Sequence, residues 1–409
     1  MKKLLFLLLF IPLIYCSSDN PEEVTPPYVQ STEAGQIDQT PVDVTVTDSD
    51  GDGVSNENDF WPNDPSMSED YWGKIVDFKP EIFFASDISE TIINGFTSDL
   101  TLATQTWGNY GPLEYWILGN DINAANSLSE LYCQRRTERN QQFFSPGFNY
   151  ESCLGAMMYP NNTSSNSAIP DYMLNNPDFI GRFEEYRSIS DNLPSGSAGL
   201  NGDRGNGFHY LTSSLPFAYE PNEWNISKEG GSSITVFHEY FHVVNAANVY
   251  TTEYIVDETG NSVRPDMGPT SMIEGSANYL SEYTIRTLID QGLYTKSSNW
   301  NVTLRDVMKS RMEDIQNMIS NCPDFNLANL NYGNSCDPYT FGMWGIAWLL
   351  NHINNQNAYQ EVLFPTINDL GYYSAFEQTF GLSFNDFNEE FKTFLQLNID
   401  EQLEIIPDI

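Results

Sequence analysis

The stretch SSITVFHEYFHVVNAANVY at residues 232–250 constrains the fold more than any other part of this chain. Ser232 or Ser233 can cap a helix, and apolar residues then recur at the three-to-four spacing of a buried stripe. The positions of that stripe are Ile234, Phe237, Phe241 and Val244. His238 and His242 lie beside it, four residues apart. Because residues four apart lie one turn above each other on the same helical face, the two imidazoles can bind one metal ion.

Glu239 follows His238 and lies one step round the same helix. Its carboxylate is expected beside the metal ion rather than on it, where it can take a proton from an attacking water and later protonate a leaving amine. The alternative is that both histidines only pack on a core helix. The chain has four histidines among its 409 residues, so a chance HExxH is uncommon. The other two, His209 and His352, are isolated in the sequence and are predicted to be structural.

A third metal ligand has to come from elsewhere in the chain. A catalytic zinc ion normally has three protein ligands and an open position for water. The segment SMIEGSANYLSEY at residues 271–283 also has the periodicity of a helix, and Glu274 lies on its polar side with Asn278 and Ser281. Glu274 is therefore predicted to be the third ligand.

The two motifs together resemble the zinc site of the gluzincin metallopeptidases. HExxH followed by E-G-x-A-x-Y is similar to the motifs of bacterial collagenases and, more distantly, of aminopeptidase N-like enzymes. The resemblance implies that His238, His242 and Glu274 bind Zn²⁺ and that Glu239 is the general base of a zinc metallopeptidase. It also implies an α+β, two-lobed fold, with a mixed sheet in the N-terminal lobe, an active-site helix and a mostly helical C-terminal lobe.

Two further positions follow from this resemblance. The thermolysin pattern has an aspartate four residues after the third ligand, where it orients the first histidine. Here that position is Asn278, whose amide oxygen can accept the imidazole N–H without adding charge. The segment DPYTFGMWGIAWLLNH at residues 337–352 resembles the downstream helix that begins Y-x-x-G, and Tyr339 matches its oxyanion-stabilising tyrosine. The alternative is a purely packed Tyr339, since the chain contains 23 tyrosines.

The kind of hydrolysis is less constrained than the metal site. GAMMYP at residues 155–160 lacks the Glu-Asn pair of the aminopeptidase motif GAMEN, which favours an endopeptidase acting on extracellular proteins. One open alternative is a binding or adhesion lipoprotein that retains the peptidase fold without cleaving, although binding alone needs no base beside three ligands. Another is a zinc hydrolase of a non-peptide acyl bond, which the same metal and base can serve.

Other segments bear on the fold alone. ETIINGFTSDLTLATQTWG predicts a helix and GPLEYWILG predicts a strand. GFHYLTSSLPFAYE predicts another strand, a candidate for the sheet edge along which an extended substrate binds. FEQTFGLSFNDFNEEFKTFL resembles the closing helix of the same family. Its predicted core stripe is Phe384, Phe387, Phe391 and Phe394.

The first residues, MKKLLFLLLFIPLIYC, contain two lysines, an apolar run and a cysteine. They predict a secretory signal peptide at residues 1–15 and lipid attachment at Cys16. Secretion without a lipid is the alternative, because Tyr15 stands where a small residue is usual. The pattern predicts an exported bacterial lipoprotein of the outer membrane or cell surface. Residues 16–46 are polar and rich in Pro and Thr, which is typical of a flexible tether.

The stretch DSDGDGVSNENDFWPNDP at residues 48–65 has the spacing of an EF-hand-type calcium loop. Oxygen ligands at alternate positions suit Ca²⁺, and Gly53 permits the sharp turn between them. The predicted ligands are Asp48, Asp50, Asp52, Val54, Asn56 and Asp59. Asp59 replaces the usual glutamate and no helix-forming run precedes the loop, so the calcium-binding segment at residues 47–72 resembles a thrombospondin type 3 repeat. The alternative is a disordered acidic linker.

Four cysteines follow Cys16, an even number in a chain predicted to be exported, where disulfides persist. Pairing neighbours, Cys133 with Cys153 and Cys322 with Cys336, closes short loops and is the favoured pairing of the three possible. Zinc binding by these cysteines is the weaker alternative, since no C-x-x-C spacing occurs.

The charge of the chain restricts its partners. A formal charge of −38, from 56 acidic and 18 basic residues, would repel phosphate backbones and anionic lipid surfaces, so nucleic acid is not an expected partner. The predicted partners are a protein or peptide substrate and a membrane reached through the lipid anchor, and the chain is expected to be a monomer. From residue 73 the apolar content suffices for a unit with an N-terminal lobe at 73–230 and a zinc-binding catalytic and helical lobe at 231–400.

Overall fold

The computed structural model of this chain describes residues 47–56, 58–61, 63–119, 121–139, 150–157, 198–200, 209–214, 232–249, 255–256, 262–263, 266–295, 302–332 and 335–409. They divide into two compact units, one ending at Glu69 and the other running from Asp70 to Ile409. The predicted signal peptide at 1–15, lipid attachment at Cys16 and tether at 16–46 lie outside the described residues. So does the predicted boundary between the lobes, at residues 230 and 231.

A mixed four-stranded sheet forms part of the larger unit, as predicted for this region. Its strands are β1 (Glu81–Phe84), β2 (Leu113–Leu118), β3 (Ala198–Leu200) and β4 (His209–Ser214), in the spatial order β1-β2-β4-β3. β2 is parallel to both β1 and β4, whereas β3 is antiparallel to β4. Every residue of β2 is buried, and its one charged residue, Glu114, forms ion pairs with Arg135 and Arg139. A separate two-stranded ribbon consists of β5 (Ile255–Val256) and β6 (Ser262–Val263).

The expectation that the strand in GFHYLTSSLPFAYE forms a sheet edge is wrong. The strand itself forms, as β4, but β2 hydrogen-bonds to one side of it and β3 to the other. Alternating apolar residues predict a strand and say nothing about its neighbours, because pairing partners come from distant parts of the chain. β4 therefore has no free edge along these paired residues.

Most described residues of the larger unit are helical, so the fold is α+β in the broad sense. The helices are α1 (Glu90–Trp107), α2 (Ile122–Glu138), α3 (Tyr150–Met157), α4 (Ser232–Ala247), α5 (Thr270–Asp290), α6 (Leu304–Met318), α7 (Pro338–His352), α8 (Phe364–Leu370), α9 (Tyr372–Phe380), α10 (Phe384–Phe394) and α11 (Ile399–Leu403). Short 3-10 turns occur at Ile319–Asn321 and Leu327–Asn329, and a π-helical turn at Tyr359–Leu363. The predicted helices of the two metal-binding motifs are α4 and α5.

Helix α5 crosses α7 with almost no side chain between the two backbones. A Cβ atom built on Gly342 would overlap the carbonyl oxygen of Ser271, and one built on Gly275 would overlap the backbone of Gly342. Only glycine permits such an approach at both positions. Gly275 directly follows Glu274, and Gly342 lies one turn after Tyr339, so the crossing fixes the two motifs relative to each other.

The start of α7 is determined by its first residues. The carboxylate of Asp337 accepts hydrogen bonds from the backbone N–H groups of Tyr339 and Thr340, at 3.3 and 3.0 Å. Pro338 occupies the first turn, where a missing N–H costs nothing and the fixed φ favours a helix. Tyr339 is thereby held in the first turn of α7.

The predicted core stripe of the closing helix is confirmed. Phe384, Phe387, Phe391 and Phe394 are all buried on α10. Their rings pack in sequence along the helix, with centroid separations of 5.6 to 6.1 Å between neighbours. Phe391 also packs edge-on against Phe325, which precedes the segment that carries Leu327 and Tyr332. Asn388 on the same helix accepts a hydrogen bond from the N–H of Leu327 at 3.0 Å, so α10 holds that segment by a polar contact as well as by packing.

Both predicted disulfides form, Cys133 with Cys153 and Cys322 with Cys336. The first joins α2 to α3. The second closes the loop that leads from the end of α6 to the start of α7. Among the helices of the described residues, none combines the length and the apolar character that crossing a bilayer requires.

Candidate functional site

Three side chains from α4 and α5 converge on one point. The Nε2 atoms of His238 and His242 are 3.0 Å apart, and Glu274 Oε2 lies 3.4 Å from the first and 3.3 Å from the second. Ligands about 2.05 Å from a tetrahedral zinc ion are about 3.3 Å from one another. The three atoms therefore have the mutual spacing of one face of a zinc tetrahedron. All three side chains are at most 9% exposed.

The three converging atoms have few partners other than one another. Glu274 Oε2 is buried and makes no hydrogen bond of good geometry to another described residue. The two imidazole nitrogens face each other, although a pair of neutral imidazoles can place at most one N–H between them. A cation would satisfy all three atoms at once, and a set of two nitrogens and one carboxylate oxygen suits Zn²⁺. These residues fit the ion that the sequence motifs imply.

The charge of Glu274 is maintained by its neighbours. Burial alone would raise its pKa, but the adjacent imidazoles of His242 and His238 outweigh burial and hold that pKa well below its usual range. Glu274 is therefore deprotonated, which is the form in which a carboxylate binds a metal ion.

Glu239 offers one carboxylate oxygen within 4.8 Å of a ring nitrogen of both histidines, so it could bind the same ion, although it is farther from His238 than Glu274 is. Its Oε1 is 3.8 Å from His238 Nε2, beyond hydrogen-bonding distance, and the side chain is buried. Burial raises the pKa of Glu239 to about 7, His238 opposes the rise, and the charge on Glu274 adds to it. A carboxylate with a pKa near neutrality can both accept and return a proton.

Tyr339 lies close to His238. Its ring stacks at 6.4 Å from the ring of His238. Burial, together with the negative charges of Glu274 and Glu239, raises the pKa of Tyr339 well above its usual value. Its hydroxyl therefore stays protonated and can donate a hydrogen bond at neutral pH.

Tyr332 is a member of this site that the sequence analysis missed. Its hydroxyl donates a hydrogen bond to Glu274 Oε1, the oxygen that does not face the histidines. Its ring lies 5.9 Å from that of Tyr339. No motif marks Tyr332, which stands in a loop without helical periodicity. The one sequence feature that could have indicated it is its position inside the predicted Cys322–Cys336 loop, which leads to Tyr339.

Asn278 does not make the contact predicted for it. The residue lies half-buried on α5, one turn after Glu274, and within the described part of the chain its side chain forms no hydrogen bond to His238 or His242. An asparagine one turn along has the right sequence spacing, but the side-chain direction also depends on how α5 rotates against α4. The structure thus provides no orienting partner at this position.

The two remaining histidines lie apart from the site. His209 begins β4, is fully buried and stacks on Trp72 at 4.1 Å, and burial lowers its pKa to about 3. It is therefore a neutral, structural residue. Its two ring nitrogens have no hydrogen-bond partner among the described residues. His352 ends α7 and stacks on Trp348 at 4.9 Å. Neither belongs to a potential metal group in the described ranges.

In the smaller unit, the carboxylates of Asp48, Asp50 and Asp52 come together. One oxygen of each lies within 4.8 Å of the others. The carboxylate of Asp48 accepts hydrogen bonds from the N–H groups of Gly51 and Gly53, at 2.7 and 3.0 Å, so the backbone of the loop curves around this side chain. Gly53 has a φ of +96°, which L-residues rarely adopt. Asp50 Oδ2 is buried and unpartnered among the described residues, as expected of an oxygen that awaits a cation.

The other predicted calcium ligands stand differently. Asn56 Oδ1 accepts a hydrogen bond from the N–H of Ser49 at 2.9 Å, and Asn56 Nδ2 donates one to Ser49 Oγ at 2.8 Å. These two bonds join the beginning of the loop to its later part. The N–H of Val54 donates to Asp52 Oδ1 at 2.7 Å. Asp59 accepts from the N–H of Trp61 through one oxygen, while its other oxygen is buried without a partner in the described segment. Asp59 is not one of the three clustered carboxylates.

Comparison of the chain with family models, with curated proteins and with solved structures gives no match. No relative therefore supplies a fold name, a substrate or a site residue. What the protein does has to be inferred from its two groups of potential metal ligands and from the side chains around them.

Proposed function

We propose that this chain is a zinc-dependent peptidase of the gluzincin kind, and that it acts as an endopeptidase on extracellular proteins. The observation that carries the proposal is the convergence of His238, His242 and Glu274 at mutual distances of 3.0 to 3.4 Å, with Glu239 beside them but outside the set. A closed site that only binds metal would use Glu239 as a fourth ligand, whereas its Oε1 lies 3.8 Å from His238 Nε2, farther than any spacing within the set of three.

In this proposal, each residue of the site has a separate task. His238, His242 and Glu274 would hold Zn²⁺, which as a Lewis acid would polarise a water molecule and the carbonyl of the scissile bond. Glu239 takes a proton from the attacking water on its carboxylate and gives it to the nitrogen of the leaving amine. The hydroxyl of Tyr339 donates a hydrogen bond to the developing oxyanion.

The proposed setting of the enzyme is the bacterial cell surface. The two disulfides suit an oxidising compartment, in agreement with export of a lipoprotein attached through Cys16. The chain would act there as a monomer on protein or peptide substrates, and its net charge of −38 disfavours nucleic acid as a partner. We further propose that residues 73–230 and 231–400 form the two lobes of the peptidase.

Removing one ligand should remove the metal and its stabilising effect. Purified wild-type protein is expected to contain one zinc per chain, and excess zinc should raise the free energy of unfolding of the metal-free form by about 4 kcal/mol at a thousandfold excess over Kd. His242→Ala should lose both the metal and the stabilisation. Metal analysis and thermal unfolding with and without zinc would measure this.

The matched control is His352→Ala, which removes a histidine that lies outside the site. It should keep zinc and stabilisation as in the wild type. Digestion of a broad peptide library by the wild type then tests the activity. Zinc binding without cleavage of any peptide or unfolded protein would favour the adhesion alternative, and cleavage of ester or other acyl substrates alone would favour the non-peptide hydrolase. A wild type that binds no zinc would exclude both the peptidase and the non-peptide hydrolase.

For the smaller unit we propose calcium binding by Asp48, Asp50 and Asp52, completed by Val54, Asn56 and Asp59. Three carboxylates within 4.8 Å repel one another unless a cation lies between them. Oxygen-only donors suit Ca²⁺ rather than Zn²⁺. Calcium would stiffen this segment between the tether and the peptidase.

Calcium should therefore protect residues 47–69 from proteolysis. We expect the wild-type segment to be cleaved at least about tenfold more slowly in calcium than in chelator, because Ca²⁺ binds the folded loop alone. Asp50→Asn should abolish most of this protection by removing one ligand charge. Asp64→Asn is the control, since it removes the same charge outside the loop. Equal cleavage of the wild type in both conditions would contradict the assignment.

A further inference from the structure

We infer that Tyr332 is the positioning residue for the third zinc ligand, and that the loop closed by Cys322 and Cys336 holds it in place. The inference rests on the metal centre of the proposed function and deepens it. The juxtaposition that carries it is the hydroxyl of Tyr332 against the outer oxygen of Glu274.

The two oxygens of Glu274 have different surroundings. Oε2 lies 3.4 and 3.3 Å from the imidazole nitrogens of His238 and His242 and has no hydrogen bond of its own. Oε1 accepts a hydrogen bond from the hydroxyl of Tyr332. A carboxylate held at one oxygen cannot rotate freely about its terminal bond, so the other oxygen stays directed at the metal position. Hydrogen bonds of this kind tune ligand orientation in metal sites generally.

The loop that carries Tyr332 is attached to the first turn of α5, the helix of Glu274. Ser271 Oγ donates to the carbonyl oxygen of Leu327 at 2.6 Å. Thr270 Oγ1 donates to the side-chain oxygen of Asn331 at 3.2 Å, and the same oxygen accepts from the N–H of Tyr332 at 2.9 Å. The loop and the ligand helix thus share a set of hydrogen bonds one turn from Glu274. These bonds hold the backbone at Tyr332 against the helix of the third ligand.

The Cys322–Cys336 disulfide bounds this loop at both ends. Its second cysteine lies immediately before Asp337, the residue that caps α7. The loop is therefore fixed to α5 by hydrogen bonds and to α7 by covalent continuity. A tyrosine in such a closed loop loses little further entropy when it hydrogen-bonds to a ligand.

Tyr332 also lies beside Tyr339. The rings of the two tyrosines lie 5.9 Å apart, so the residue that holds the third ligand also borders the predicted oxyanion donor. A tyrosine that only filled space would not need the hydrogen bond to Glu274.

The test is the zinc affinity of the full chain, measured by competition with a chelator. Tyr332→Phe retains the ring and removes only the hydroxyl, and it is expected to weaken zinc binding by about 10- to 100-fold. Tyr279→Phe is the matched control, because it removes a hydroxyl from the helix that carries Glu274, where that hydroxyl hydrogen-bonds to Gln356 instead. It should bind zinc within about twofold of the wild type.

Two further measurements separate positioning from general damage. The metal-free Tyr332→Phe chain should unfold at the same temperature as the metal-free wild type, and a lower value would assign the residue to folding instead. In a Glu274→Asp background, which keeps a carboxylate but withdraws it from the hydroxyl, Tyr332→Phe should change zinc affinity by no more than about twofold. Wild-type zinc affinity in Tyr332→Phe alone would overturn the inference while leaving the metal centre intact. A wild type without zinc affinity would overturn both.

Discussion

Glu239→Gln is expected to lower kcat/KM for every cleaved peptide by about 10²- to 10⁴-fold while zinc remains bound. The amide has nearly the shape of the carboxylate and leaves the packing around His238 unchanged, but it cannot accept the proton of the attacking water. Burial raises the pKa of Glu239 to about 7, so the wild-type side chain can exchange a proton near neutral pH, which the amide cannot do. Steady-state kinetics on a peptide from the library, with zinc content measured in the same preparation, would give both quantities.

Glu377→Gln is the control for this substitution. Glu377 is exposed on α9, outside the site, so the same loss of charge should leave kcat/KM and zinc content unchanged. If Glu239→Gln retained wild-type turnover, Glu239 would not be the base. Loss of turnover together with loss of zinc would instead point to damage of the metal centre.

Gly342→Ala is expected to reduce the free energy of unfolding by about 3 kcal/mol, at the upper end of the usual range for overpacking. The added Cβ would overlap the carbonyl oxygen of Ser271, which belongs to a helix backbone and cannot rotate away like a side chain. To relieve the overlap, α5 and α7 must separate or slide, and Glu274 moves with α5. Denaturant unfolding of the metal-free chain would measure the loss, and zinc affinity should fall with it.

Gly345→Ala gives a closely matched comparison, one turn further along the same helix. A Cβ there would lie 3.3 Å from the ring of Phe387 and 3.4 Å from Leu327, both of which are side chains that can shift slightly. Alanine also has a higher helix propensity than glycine, by about 1 kcal/mol, which offsets the tight contact. We expect a change in unfolding free energy within about 1 kcal/mol. Equal destabilisation by both substitutions would show that the crossing at Gly342 is not special.

The parts of the site that the sequence predicts correctly are those decided within single helices. His238, Glu239 and His242 are related by the geometry of one helical turn, so their mutual placement follows once α4 forms. Glu274 required one further inference, that a zinc site needs a third ligand and that a second polar helix follows. The burial of the Phe384 stripe on α10 followed from periodicity in the same way.

The parts that could not be predicted depend on contacts between segments distant in sequence. Tyr332 reaches Glu274 across 58 residues of chain, and no local pattern distinguishes it from the other tyrosines. Asn278 has the right spacing for its predicted role and still makes no hydrogen bond to the histidines within the described residues. The misassigned edge of β4 has the same origin, because β3 pairs with it from outside the predicted strand.

The glycines of the two motifs illustrate the same difference. Their positions, directly after Glu274 and one turn after Tyr339, are visible in the sequence. That Gly275 and Gly342 meet each other is visible only once α5 and α7 are packed. In the sequence, each glycine is only a residue with low helix propensity, and it does not indicate a contact between helices. Together they are the point at which the two helices touch.

Where two backbones touch without intervening side chains, no substitution of a neighbouring side chain can relieve a change at the contact. Substitution elsewhere in a core can be absorbed by a change of rotamer or by a compensating neighbour, but the Gly275–Gly342 contact offers neither. Changes of specificity in descendants of this protein should therefore arise away from this crossing, while the separation between α5 and α7 stays the same.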